Sequence, residues 1–224
     1  MTREEFYQKQ VDKYIKNKNS NILVLGAGPL DRKIFEKLDF KNVTFSNLEN
    51  TNDKDLNLYE NIHEIKIEDS SYDYCIAHAC IHHSSKPHSA ILELYRVCLK
   101  GALIIEARDS VLSRLACYLN LSEEYEFSAV EKNKVSGGVD NTNIPNYVYR
   151  WTEREIFKLM KSYKPEINHE IKFDYSYNIK FTDSIIVNIF FKFLFSLLKK
   201  QQNLFSIFIN KNANEVRYNE WIKN

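Results

Sequence analysis

The chain has 224 residues, 31 basic and 30 acidic side chains, and a hydrophobic content of 44%. That length supports one sizeable core, and the balanced charge excludes an overall field that would attract nucleic acid or a strongly acidic partner. Four cysteines without C-x-x-C spacing read as free thiols of a reducing, cytoplasmic compartment, and "MTREEFYQKQ" lacks the apolar run of a secretory signal.

Thr2 with Glu5 forms a capping-box pattern, and Phe6, Tyr7, Val11, Tyr14 and Ile15 recur at helical spacing. "NILVL" (residues 21–25) is a continuous apolar run of strand length that enters the turn Gly26-Ala27-Gly28, and "DRKIFEKL" resumes a helical period. "NVTFSNL", "SYDYCIAHA" and "ALIIEA" read as strands, with a helix over "PHSAILELYRVCLK" opened by Pro87. Strands alternating with helices predict a parallel sheet covered on both faces, with ligands bound beyond the carboxyl ends of its strands.

Residues 111–150 break the alternation and read as an inserted lid. At "WTEREIFKLMKSY", Thr152 is positioned to cap a helix, Glu155 to reciprocate, and Trp151 to staple against Ile156. A strand over "EINHEIKFDYSYNIKF", a strongly apolar helix over 184–200 and a strand over "NLFSIFINK" complete the chain. The expectation is one domain over 1–224. Its parts are a cofactor-binding half (1–110), the lid, the rest of the sheet (151–211) and a polar tail (212–224). The apolar segment suits sheet cover, a homodimer contact or shallow membrane docking aided by Lys192, Lys199 and Lys200.

Gly26 and Gly28 give the backbone freedom and close approach that a ligand-binding strand-to-helix turn needs. The dinucleotide fingerprint would require a third glycine where Asp31 stands, and a carboxylate there disfavours a pyrophosphate. A phosphate-free adenosyl ligand fits better. "ILVLGAGPL", "VTFSNLE", "EDSSYDYCIAHACIHH" and "ELYRVCLKGALIIEA", in this order over residues 21–107, resemble the class I S-adenosylmethionine-dependent methyltransferases, in particular their small-molecule, type 11 branch.

That resemblance implies a Rossmann-like three-layer α/β sandwich of seven mainly parallel strands, the last two antiparallel, with the lid inserted after the fifth. It implies S-adenosylmethionine as cofactor and transfer of its methyl group to an oxygen or nitrogen of a small or glycan-like acceptor. Carried onto this chain, Gly26, Ala27 and Gly28 wrap the donor, and Glu49, with Asn47 as rival, receives the ribose hydroxyls. Asn61 and Ile62 read the adenine, and Ala77 and His78 lie beside the methionine moiety. Two positions depart from the family pattern: Val24 replaces a carboxylate and Leu30 a third glycine.

His82, His83 and Glu106 are the candidate bases, and Asn146, Tyr147 and Arg150 of the lid the candidate acceptor contacts. His78 and His82 have i, i+4 spacing, but no carboxylate or cysteine in the sequence pattern completes a metal site, so none is expected. A non-catalytic protein with this fold and a nicotinamide-dependent oxidoreductase are the alternatives.

Overall fold

The computed structural model describes residues 1–48, 58–131, 136–177 and 198–216. Six strands form one sheet in the order β2-β1-β3-β4-β6-β5. They are β1 (Asn21–Leu25), β2 (Asn42–Ser46), β3 (Tyr72–His78), β4 (Cys98–Ala107), β5 (Ile167–Ser176) and β6 (Leu204–Val216). β1 to β4 pair in parallel, whereas β6 is antiparallel to both β4 and β5.

The doubly covered α/β sheet agrees with expectation, with two differences. Six strands are present among the described residues instead of seven, since beyond β2 the chain offers only the isolated bridge Ser46–Leu58. The reversal is confined to β6, so β5 again points the same way as β1 to β4. β6 also continues to Val216, into the stretch read as a polar tail, because its last residues still find partners in β5, down to the pair Ile167–Val216.

Strand alternation divides the core. Ile22 and Val24 face one layer, where they meet Phe6, Tyr7 and Val11 of α1 (Arg3–Tyr14) and Ile34 and Phe35 of α2 (Pro29–Lys37). Leu23 and Leu25 face the other, packed with Ile91 and Leu94 of α3 (Pro87–Val97) and Ile156 and Met160 of α6 (Glu153–Tyr163). The continuous apolar run of β1 follows from this, since both of its faces are buried.

The predicted caps form in part. Thr2 and Glu5 exchange both capping-box bonds, at 3.1 and 2.8 Å. Thr152 accepts from the Glu155 amide, but the Glu155 carboxylate turns away to His88 and the Tyr149 hydroxyl, so only half of that box is made. The lid contains α4 (Val111–Tyr118) and α5 (Phe127–Glu131). All four cysteines are free. Among the described residues no helix is long and apolar enough to cross a membrane, and most of the apolar 184–200 segment lies outside them.

Candidate active site

The parallel strands bring the ends of β1, β2, β3 and β4 to one side of the sheet, and two cavities open there. The first, of about 200 Å³, is lined by Gly26 after β1, Asn47 after β2, Ile62, Ala79 and Cys80 after β3, and by Gly137 and Gly138 of the lid. Gly26 has a φ of +63°, and a Cβ there would come within 2.4 Å of the Cys80 Cβ. Its glycine is therefore required by the chain's own packing. Gly28 differs: a Cβ there would meet nothing nearer than Asp31 Oδ2 at 3.9 Å, so no protein atom forbids a side chain.

Asn47 ties the turn to β2 by donating from Nδ2 to the Ala27 carbonyl at 3.0 Å. Ile62 lines the cavity, whereas the Asn61 side-chain oxygen accepts from the His63 amide. Ala77 is fully buried in β3. His78 stacks on Tyr7 at 4.3 Å and accepts from Arg3 Nε at 3.1 Å. Burial, and then the Arg3 charge, push its pKa down to about 3, so it is neutral. Glu49 lies outside the described residues.

Asp31 is 5% exposed and accepts from the Gly28 amide and the Tyr7 hydroxyl, both at 2.8 Å. Its carboxylate thus occupies the start of α2, where a dinucleotide phosphate would sit. Val24 is fully buried in the core on the α1–α2 side, so a carboxylate there would lack water.

The second cavity, of about 810 Å³, lies under the lid between Leu112, Leu115, Leu121 and Val148, with Arg3, Arg150, His82, Glu106 and Glu126 also in its wall. Two of the nominated bases, His82 and Glu106, stand in this wall, while His83 lines the first cavity. Glu106, 2% exposed, accepts from the Ile81 amide at 2.8 Å through one oxygen and faces His82 Nδ1 at 2.7 Å through the other. Glu126 Oε2 lies 3.5 Å from His82 Nε2 and 3.3 Å from His83 Nε2. Burial would lower the His82 pKa, but Glu106 and then Glu126 outweigh it and raise the value to about 9. Glu106 is held below the ordinary carboxylate range because His82 and the Ile81 amide overcome its burial. Glu126 is held far below that range, first by its hydrogen bond with His82 and then by that with His83.

Sequence reasoning missed Glu126, one of several carboxylates in "SEEYEF", and only the folded lid sets it apart from its neighbours. The lid candidates divide. Asn146 is fully buried and donates to Glu126 at 3.1 Å, Tyr147 is half exposed against Tyr125, and Arg150 spends its guanidinium on the Glu123 and Val148 carbonyls and the Ser122 hydroxyl. Arg108, also in the second cavity's wall, donates from Nη2 to both carboxylate oxygens of Glu153 at 2.8 and 3.0 Å.

Residues 37–105 match the methyltransferase domain family, a stretch that runs from the end of α2 through β4. A solved protein of Pyrococcus horikoshii superposes with a TM-score of 0.56 at 14% identity, covering 93% of this chain and 89% of the other. The chain thus shares the methyltransferase fold and matches the methyltransferase domain family over residues 37–105. A SAM-dependent methyltransferase of Archaeoglobus fulgidus shares the fold at a TM-score of 0.52 and 13% identity, over 93% of this chain and 94% of that one. One of Thermotoga maritima does so at 0.51 and 16%, over 93% and 91%. No curated protein matches the chain.

Proposed function

We propose that this protein is an S-adenosylmethionine-dependent methyltransferase that moves the methyl group to an oxygen or nitrogen of a small-molecule acceptor seated in the larger cavity. One observation carries this reading: His83 stands in the wall of the first cavity, His82 and Glu126 in the wall of the second, and Glu126 faces both rings within 3.5 Å. A donor in the first cavity and an acceptor in the second meet at this cluster.

The residues around the first cavity suit the adenosyl donor in kind. Ile62 offers an apolar surface for the base, and Asn47 and Glu60 offer polar atoms for hydroxyls; Gly28, two residues beyond the lining residue Gly26, leaves its main chain open to approach. Glu49, Asn61, Ala77 and His78 remain proposed donor contacts. Bound S-adenosylmethionine supplies a methyl group already activated as a sulfonium. The chain therefore has to align the acceptor, exclude water and take up a proton at the Glu126–His83 end of the network. Glu106 keeps the His82 ring in place, and His82 in turn faces Glu126.

The wall of Leu112, Leu115, Leu121 and Val148 favours an acceptor with an apolar body. The polar side, with Arg3, Arg150, Gln201 and Asn203, also suits a glycan-like acceptor, which we keep as the second candidate. The test is formation of S-adenosylhomocysteine with panels of phenols, amines and glycans. The reading predicts turnover with at least one class and its loss in Glu126→Gln; binding of the donor with no turnover in any panel would favour a non-catalytic protein.

A further inference from the structure

The His82, His83 and Glu126 cluster has a feature that proton transfer alone does not require. His83 Nδ1 lies 3.2 Å from the Gly137 carbonyl, a group that can only accept. Nδ1 therefore carries the hydrogen, and the lone pair of the neutral ring sits on Nε2, facing a Glu126 carboxylate oxygen at 3.3 Å. His82 repeats the arrangement. Its Nδ1 side is taken by Glu106 at 2.7 Å, and its Nε2 faces the same Glu126 oxygen at 3.5 Å.

Electron-rich atoms this close need a cation between them, either a proton or a metal ion. One ligand atom from each of the three residues falls within 4.8 Å of the others. Tetrahedral ligands about 2.1 Å from a zinc ion are spaced by roughly 3.4 Å, close to the 3.5 and 3.3 Å from Glu126 to the two rings. Both rings also have the outer support that metal-binding histidines use, one from a carboxylate and one from a backbone carbonyl. Asn146 fixes the third ligand by donating to Glu126. Its own Oδ1, fully buried, has no hydrogen-bond partner among the described residues.

We infer that His82, His83 and Glu126 bind one divalent transition-metal ion, of the zinc type, at the boundary of the two cavities. Two imidazoles and one carboxylate suit such an ion far better than magnesium, which prefers oxygen ligands. Three protein ligands leave a position open toward the acceptor, where the ion would polarise a hydroxyl, its proton leaving to water because His83 and Glu126 then serve as ligands instead of bases. That role deepens the methyl-transfer reading, whereas ion binding itself does not depend on it.

The test titrates cobalt(II) and zinc(II) into chelator-treated full-length protein. One ion per chain is expected, with visible cobalt bands of a nitrogen- and oxygen-ligated site. Glu126→Gln and His83→Gln should abolish those bands, and Glu106→Gln should weaken affinity by about 10- to 100-fold, as loss of an outer-shell partner does. X-ray absorption of the zinc-loaded unmodified protein reads the ligands directly, so the test stands even if a variant fails to fold. Two imidazoles and a carboxylate support the site. Absence of stoichiometric binding, bands that survive both glutamine variants, or a different ligand set overturns it. S-adenosylhomocysteine binding measured on the same samples separates the two ideas: binding without the ion defeats this inference alone, and the ion without binding defeats the donor reading alone.

Discussion

Glu106, at the end of β4, holds His82 Nδ1 at 2.7 Å with one carboxylate oxygen and the Ile81 backbone amide at 2.8 Å with the other. A single buried side chain thereby fixes both the ring and the backbone turn that carries it. Glu106→Gln preserves the shape but removes the charge, and is expected to lower kcat by 10- to 100-fold with little change in donor affinity. Glu106→Leu also orphans the Ile81 amide and leaves a buried imidazolium unpaired, so it should destabilise by about 3–5 kcal/mol in urea unfolding. Equal effects of the two substitutions on stability would show that the pairing is incidental.

The two glycines of the first turn should respond differently. Gly26→Ala has to place a Cβ 2.4 Å from that of Cys80 at a φ of +63°, and a loss of about 1–3 kcal/mol in thermal or chemical unfolding is expected. Gly28→Ala meets open space, so the protein should fold with nearly unchanged stability while S-adenosylhomocysteine affinity by calorimetry falls at least about tenfold. Undiminished binding in Gly28→Ala would place the donor elsewhere.

His78 gives the fold an acid-sensitive element. Its folded pKa is about 3, depressed by burial and then by Arg3, against 6.5 in an unperturbed ring. Between these values the unfolded chain binds a proton that the folded chain does not. Stability contributed by this group is therefore complete above pH 6.5 and falls as pH drops toward 3, at a slope of order 1.4 kcal/mol per pH unit. His78→Phe keeps a ring to stack on Tyr7 and should flatten that acid limb in unfolding measured at a series of pH values.

The lid is latched over the first cavity. Asp140 accepts from the Ser85 amide at 3.0 Å, and Gly137 and Gly138 line the cavity's lid side. At about 200 Å³ the space is smaller than typical ligand pockets of roughly 300–1,000 Å³, and on the proposed donor placement the Asp140 latch is what has to open for the donor to leave. Asp140→Gly tolerates the local φ of +48° and removes the latch. Stopped-flow measurements should show S-adenosylhomocysteine leaving about tenfold faster, the equivalent of one charge-assisted hydrogen bond.

Much of this molecule is written in short segments. The doubly buried run of β1, the capping residues Thr2 and Thr152 and the alternation through β4 all depend on neighbours a few residues away, and all were readable from the chain. Side-chain choices across the fold were not. Glu155 satisfies the capping pattern in sequence, yet His88 and Tyr149 outcompete it as partners once α6 is packed.

The candidate site divides in the same way. His82, His83 and Glu106 could be nominated one by one because each stands at the end of a recognisable strand or in the turn after it, where a parallel sheet opens to ligands. Sequence alone therefore determined the sheet, the end of it where the cavities open and the chemical types gathered there. Only the tertiary structure decided that Glu126 of the lid closes the group, that Asn146 supports it, and that Val24 belongs to the core. Those outcomes rest on where distant side chains meet in space, and local periodicity carries no record of such encounters.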